Sequence, residues 1–176
     1  MSDREKFENA IKEAGFEPFK TTSENWGDYA LNDGSCLRMR MNVIKIARQI
    51  DDAGNIAFNI NGSPAIGVIS PKNLRGTPSS RPPTPQELTA TIVEEDVELS
   101  VVEEKWSTYQ LEDGTVISIK LIPIKVSRTG IFDPNGEPIY NVNHQLLMKA
   151  SIPEELRKKG IRVQQASTAG RPTFIA

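Results

Sequence analysis

The chain has 176 residues, of which 38% are apolar and 25% are charged, and its formal net charge at pH 7 is -2. A chain of this size buries enough surface to fold without a metal ion or a disulfide, and its near-neutral charge argues against wholesale binding of polyanions. The single cysteine cannot form an internal disulfide, which favours a reducing, cytoplasmic location. Neither a signal peptide nor a membrane-spanning run of about 18 apolar residues is expected.

The first predicted element is a helix over residues 3–14. Ser2 and Glu5 have the spacing of a capping box, in which each side chain accepts from the backbone of the other residue. Phe7 and Ile11 lie one turn apart and form a narrow apolar stripe. Because the stripe is narrow, we expect this helix to pack on another part of the molecule.

A motif that begins at Trp26 recurs with the same spacing at Trp106, and a long strand pattern follows each copy. The Asp-Gly pair inside each copy predicts a hairpin turn, since both residues tolerate positive φ. The matched positions are Trp26 and Trp106, Tyr29 and Tyr109, Leu31 and Leu111, Asp33 and Asp113, and Gly34 and Gly114. The repeat predicts an ancestral tandem duplication.

In each long strand the apolar alternation changes phase midway, near Ile44 in the first copy and at Pro123 in the second. A slip of one residue moves side chains to the other face, so a β-bulge or a sharp bend is expected there. Proline supports this, because it lacks the donor that a strand ladder needs. A return strand and a further strand complete each copy, near 58–61 and 65–69 in the first and near 140–143 and 146–152 in the second.

The proline-rich residues 75–84 separate the copies and are typical of a semi-rigid linker. Thr84 and Pro85 then predict the start of a second, brief helix. We therefore predict four regions. They are a first β unit with its helix at 1–74, the linker at 75–84, a second homologous β unit at 85–156, and a basic, then small and polar, C-terminal tail at 157–176.

The predicted fold is mainly β, either all-β or α+β with one or two short helices. The tandem-duplicated antiparallel β units are expected to form one pseudo-twofold barrel or sandwich, because each unit alone has few aromatic residues to bury. Two small β domains are the alternative.

The sequence predicts no catalytic residue, no metal site and no cofactor. Cys36 is interpreted as a small apolar residue and His144 as a surface or turn residue, since neither has partners at the spacing of a zinc site or a nucleophile. Asp33 and Asp113 are candidates for a ligand or acid–base site between the units, because a pseudo-twofold axis would relate them. Two hairpin turns are the favoured explanation of both residues, since Asp-Gly is typical of such turns.

Basic residues at matching positions form a second candidate site. A stripe of positive charge along a sheet face can follow phosphates, with Trp26 and Trp106 stacking on bases. The residues are Arg38, Arg40, Lys45, Arg48, Lys120, Lys125 and Arg128. The alternative is the ordinary charged outer face of an antiparallel sheet, with both tryptophans in the core.

The leading hypothesis is a non-catalytic structural or interaction protein that belongs to a homo-oligomer or a larger assembly, through self-association or a protein partner. One alternative is a single-stranded nucleic-acid-binding protein that uses the Lys/Arg strand face. Another is a small-ligand protein or an enzyme with its site between the two units. No membrane partner is expected.

Overall fold

The computed structural model describes residues 1–160, 162–163 and 171–175, and part of the predicted C-terminal tail lies outside these ranges. The protein is mainly β, as predicted. The helices of the described residues are α1 (Asp3–Glu13), α2 (Pro85–Ala90) and α3 (Glu154–Lys158), with a short 3-10 helix at Lys72–Leu74. The strands are β1 (Phe19–Ser23), β2 (Gly27–Leu31), β3 (Cys36–Ile50), β4 (Asn55–Ile69), β5 (Ile92–Glu94), β6 (Leu99–Glu103), β7 (Ser107–Leu111), β8 (Val116–Phe132), β9 (Pro138–Ser151), β10 (Arg162–Val163) and β11 (Arg171–Ile175).

These strands form two sheets. One has the order β1-β7-β8-β9-β11, with β5 also paired to β8, and the other has the order β10-β4-β3-β2-β6. Neighbouring strands are antiparallel except β10 and β4, which run parallel. The predicted alternative of a closed barrel is wrong for the described residues, because both sheets are open at their edges. Each long strand stays in one sheet past its bulge and does not cross into the other.

Two long hairpins, β3–β4 and β8–β9, are the main part of each sheet. The predicted bulges are confirmed, since the register shifts between Val43 and Lys45 in one hairpin and between Pro123 and Lys125 in the other. The predicted return strand and further strand are in each case one continuous strand, β4 or β9, because the ladder follows its partner through the bulge.

Local backbone signals in the sequence determine the helix starts and the turns. Helices α1 and α2 begin with capping boxes: Ser2 Oγ accepts from Glu5 N–H at 3.2 Å, and Thr84 Oγ1 accepts from Glu87 N–H at 3.2 Å. A cap of this kind contributes about 1 kcal/mol to helix stability. The two Asp-Gly turns place their glycines at φ 91° and 87°, the left-handed region that favours glycine.

Strands β1 and β6 each join the sheet that contains the other half of the chain. Strand β1 pairs with β7, where Phe19 lies opposite Leu111. Strand β6 pairs with β2, where Leu99 lies opposite Leu31. The two halves therefore complete each other's sheets and are held together by backbone hydrogen bonds.

The sheets share two hydrophobic clusters, and each cluster contains residues from both sheets. In the first cluster, the open end of the β3–β4 hairpin packs against the end of the β8–β9 hairpin that carries its turn. In the second cluster, the turn end of the β3–β4 hairpin packs against the open end of the β8–β9 hairpin. The first cluster contains Tyr29, Leu31, Leu37, Met39, Val68, Val97, Leu121, Val126, Tyr140 and Val142. The second contains Ile46, Ile56, Phe58, Tyr109, Leu111, Ile117 and Ile119. One core therefore extends across both halves.

Candidate interaction surface

Six of the seven predicted nucleic-acid-binding residues are ion-paired within the chain. The pairs are Arg38–Asp28 at 2.7 Å, Arg40–Glu24 at 3.6 Å, Arg48–Asp113 at 2.7 Å, Lys120–Glu104 at 2.9 Å, Lys125–Glu95 at 4.0 Å and Arg128–Glu94 at 3.1 Å. Lys45 differs: no carboxylate of the described residues lies within 4 Å, and its ammonium lies 4.9 Å from the centre of the Phe16 ring. The basic residues therefore do not form a stripe of free charge.

The two tryptophans lie beneath basic side chains and are only half-buried. Arg38 and Arg40 lie over the Trp26 ring, at 5.0 and 4.8 Å, and Lys120 and Lys149 lie over the Trp106 ring, at 4.9 and 4.3 Å. They lie at the border of the core, outside its two clusters of buried residues. The cations attract the ring faces electrostatically, which stabilises an aromatic side chain at the border of the core.

Asp33 and Asp113 are each paired with an arginine from the other half of the chain. Arg128 lies 3.5 Å from Asp33, and Arg48 lies 2.7 Å from Asp113. Both aspartates also accept a hydrogen bond from the backbone two residues later, as expected for their turns. Neither aspartate lines any of five surface cavities in the described residues.

Asp33 belongs to a buried polar network. Its side chain is 5% exposed and accepts a hydrogen bond from the Tyr140 hydroxyl at 2.7 Å, and that hydroxyl lies 2.8 Å from Ser35 Oγ. Burial raises the pKa of Tyr140 to about 12, and the carboxylate of Asp33 adds to this shift. Tyr140 therefore remains a neutral donor at ordinary pH. Because its hydroxyl groups and its carboxylate are hydrogen-bonded to one another, the network stabilises the seam between the halves.

Asp113 is more open, with a side chain that is 32% exposed. Partial burial raises its pKa, but hydrogen bonds from Arg48 and from Thr115 outweigh burial and lower the pKa to about 2. The group is a permanent carboxylate at neutral pH. It accepts hydrogen bonds but cannot act as a general acid in that range.

His144 and Cys36 lie on different strands and do not form a site together. A ring nitrogen of His144 lies 2.9 Å from Thr173 Oγ1, which ties β9 to β11, and burial lowers the pKa of this histidine. Cys36 is exposed at the start of β3. Among the described residues, no group of three or more His, Cys, Asp or Glu side chains is placed to hold a metal ion.

Helix α1 leaves apolar side chains exposed. None of its residues is buried, and Phe7 is 58% exposed. An apolar groove of about 250 Å³ lies between α1 and the sheets. Its lining is Phe7, Ala10, Ile11, Ala14, Phe16, Glu17, Phe19, Ile44 and Lys45. The groove can bind an apolar side chain, and Lys45 at its rim can bind a negative charge.

Two features of the sequence relate to this groove. The narrow apolar stripe of α1 indicated packing on another element, and Ile44 marked the bulge. What the sequence pattern could not predict is that the two features meet and remain uncovered. By contrast, α2 buries Leu88, which is 6% exposed.

None of the described helices is both long and apolar enough to cross a membrane. A scan of protein-family models, a search of curated proteins and a search of solved structures each find no match to this chain.

Proposed function

We propose that this chain is a non-catalytic interaction protein that belongs to a homo-oligomer or a larger assembly. The observation that carries the proposal is the uncovered apolar groove between α1 and the sheets. An isolated helix of about 12 residues is marginal in water, and most helices gain stability by packing an apolar face. Helix α1 has 11 residues and buries none of them. A partner that covers the groove provides the missing packing.

The polar chemistry of the seam supports a structural role for the charged residues. Arg48 and Arg128 are held by carboxylates of the other half, and the buried hydroxyl of Tyr140 is used by Asp33. These groups stabilise the fold, and neither aspartate lines any of the five surface cavities described above. A ligand site between the units at Asp33 and Asp113 therefore has less support than a binding site in the groove.

We also propose that the two halves are homologous units, at 1–74 and 85–156, joined by the linker at 75–84 and related by a pseudo-twofold axis. Matching contacts support this. They are the exchanged strands β1 and β6, the two Arg–Asp pairs across the seam, the bulges near Lys45 and Lys125, and the turns in which Leu74 and Leu156 donate to Pro71 and Pro153 at 3.1 Å. The unpaired Cys36 is in keeping with a reducing, cytoplasmic location.

Light scattering over a range of protein concentrations tests self-association. If copies of the chain cover the groove, Ile44→Asp lowers the average mass, because it places a charge in the apolar lining. Ile124→Asp is the matched control, since Ile124 lies at the second bulge with a similar exposure of 56% against 63% for Ile44. A strict monomer at about 50 µM, where moderate dimers form, would exclude the self-association version.

Photo-crosslinking tests the version with a different partner. Benzoylphenylalanine in place of Phe7 puts the reactive group in the groove lining, and the full chain is then expressed in the cells from which it comes. We expect one dominant crosslinked protein, which is identified, purified and shown to bind the chain directly. We expect this crosslink to be lost in the Ile44→Asp variant and to be kept in the Ile124→Asp variant. A monomeric chain that crosslinks to no protein overturns the proposed function.

A further inference from the structure

The two long hairpins differ at one edge. In the six-stranded sheet, β5 pairs with β8, so that Ile92 lies opposite Thr129 and Glu94 lies opposite Arg128. Gly130 N–H donates to the Thr91 carbonyl at 2.6 Å. In the five-stranded sheet, none of the described strands pairs with the corresponding edge of β3 at residues 45–50.

Backbone pairing along that edge of β3 begins at Ile46 and does not continue to residues 48 and 50. Glu17 N–H donates to the Ile46 carbonyl at 2.8 Å, just as Val97 N–H donates to the Val126 carbonyl at 2.8 Å. Alternate residues of an antiparallel strand direct their backbone groups to the same edge. The N–H and C=O groups of residues 48 and 50 therefore face the same way as the Ile46 carbonyl, and none of the described strands covers them. Edges of this kind accept an added strand.

The cause is a difference in helix length. Helix α2 ends at Ala90, which leaves the next residues free to form β5, whereas α1 continues to Glu13. The residues that would cover β3 are used in the helix. The groove lies directly beside the open edge, because Ile44 and Lys45 line it.

The charges differ in the same way. After β5, Glu95 lies 4.0 Å from Lys125, and Glu94 lies 3.1 Å from Arg128. Lys45, at the position in β3 that matches Lys125, has no carboxylate of the described residues within 4 Å. The edge of β3 has a carboxylate beside Arg48, since Glu17 lies 3.3 Å from it, but it lacks the strand that β8 has, and Lys45 lacks the carboxylate that Lys125 has.

We propose that the open edge of β3 binds an extended segment of a partner protein, in which two adjacent β-branched apolar residues precede acidic residues. The segment adds a strand to the sheet as β5 does on β8, and its carboxylate pairs with Lys45. This inference rests on the proposed function and names the chemistry of the partner. The chain itself contains the pattern of the ligand, in Ile92, Val93, Glu94 and Glu95.

A peptide with the sequence of residues 90–96, Ala-Thr-Ile-Val-Glu-Glu-Asp, is the probe. Its fluorescein conjugate is titrated with the full chain, and binding is measured by anisotropy. We expect Ile50→Pro to weaken binding about tenfold or more, because proline removes an outward donor and is tolerated at a strand edge. Lys45→Glu weakens binding about fivefold, and a peptide with two lysines in place of the glutamates restores it. Lys72→Glu is the control, since it makes the same charge change at an exposed, distant position.

Two results overturn the inference: no saturable binding at about 1 mM peptide, or equal binding to the wild-type chain, Ile50→Pro and Lys45→Glu. If Ile50→Pro does not fold, a peptide with proline in place of valine removes the donor from the ligand side. A dominant crosslink at Phe7 without peptide binding overturns this inference and leaves the proposed function standing. Failure of both experiments overturns both.

Discussion

Removal of one hydroxyl group tests the buried network at the seam. Tyr140→Phe deletes the donor to Asp33, whose carboxylate is 5% exposed, and leaves the ring packed in the core. Asp33 keeps the Ser35 N–H at 2.9 Å and the more distant Arg128. The carboxylate therefore stays buried but loses a short hydrogen bond.

The magnitude follows from the type of bond. A hydrogen bond to a charged group contributes about 1.5–3 kcal/mol, and the loss leaves a buried acceptor less well satisfied. We expect Tyr140→Phe to lower the free energy of unfolding by about 2 kcal/mol. For a chain of this size, that corresponds to a fall in Tm of roughly 4–8 °C.

Tyr29→Phe is a matched control. Tyr29 is 2% exposed, like Tyr140, but its hydroxyl has no hydrogen-bond partner among the described residues. Removing a hydroxyl that has no partner is nearly neutral. Urea unfolding of both variants, followed by tryptophan fluorescence and circular dichroism, measures the difference. If Tyr140→Phe costs no more than Tyr29→Phe, the network does not stabilise the seam and the argument for its structural role is wrong.

Three further predictions concern other parts of the fold. Because the folded pKa of Asp113 is lowered to about 2, its contribution to stability is present above its unfolded pKa and is lost as pH falls through the folded value; in acid unfolding curves, Asp113→Asn should therefore cost about 1 kcal/mol at pH 7, allowing for solvent screening, progressively less below about pH 4, and nothing only below about pH 2. Gly62→Ala should cost about 2 kcal/mol or more, since the new Cβ would lie 2.1 Å from the Asn42 carbonyl oxygen, whereas Gly67→Ala meets no atom within 4 Å and should change urea unfolding little. Single-stranded oligonucleotides should bind more weakly than about 100 µM at 150 mM salt, because Lys45 is the one predicted nucleic-acid residue without an ion pair here; submicromolar binding with a steep salt dependence would contradict this expectation.

Features that depend on short-range chemistry were predictable from the sequence. A serine or threonine three residues before a glutamate specifies a capping box, and an aspartate before a glycine specifies a turn. The bulges could be predicted because the change of phase is visible within one strand. In each case the interacting residues lie only a few positions apart.

Features that depend on a distant partner were not predictable. The exchange of β1 and β6 between the halves requires pairing between distant residues, since Phe19 and Leu111 are 92 positions apart and Leu31 and Leu99 are 68 positions apart. The sequence of β1, Phe-Lys-Thr-Thr-Ser, fits a strand but does not name its neighbour. Register is determined by burial and turn geometry in the folded protein, and these are absent from a local pattern.

The repeat also includes acidic residues that form ion pairs with the matched basic residues. Glu24 and Glu104 each lie two residues before a tryptophan, and they pair with Arg40 and Lys120. The glutamates, their basic partners and the tryptophans therefore recur together in both copies. Recurrence of both charges favours a neutral, self-contained cluster over a phosphate-binding face, and the sequence alone could have supported that conclusion.

Comparison of the halves separates what the fold requires from what it leaves free. The β8 edge, closed by β5, and the β3 edge, left open beside α1, are built on the same kind of bulged hairpin. Because the fold forms with the edge closed in one half, an open edge is not a requirement of the hairpin. The long α1, the apolar groove and the unpaired Lys45 all occur on the open side. These three features of the first half lie together, and together they leave one surface uncovered. They have a common explanation if that surface is where the protein binds its partner.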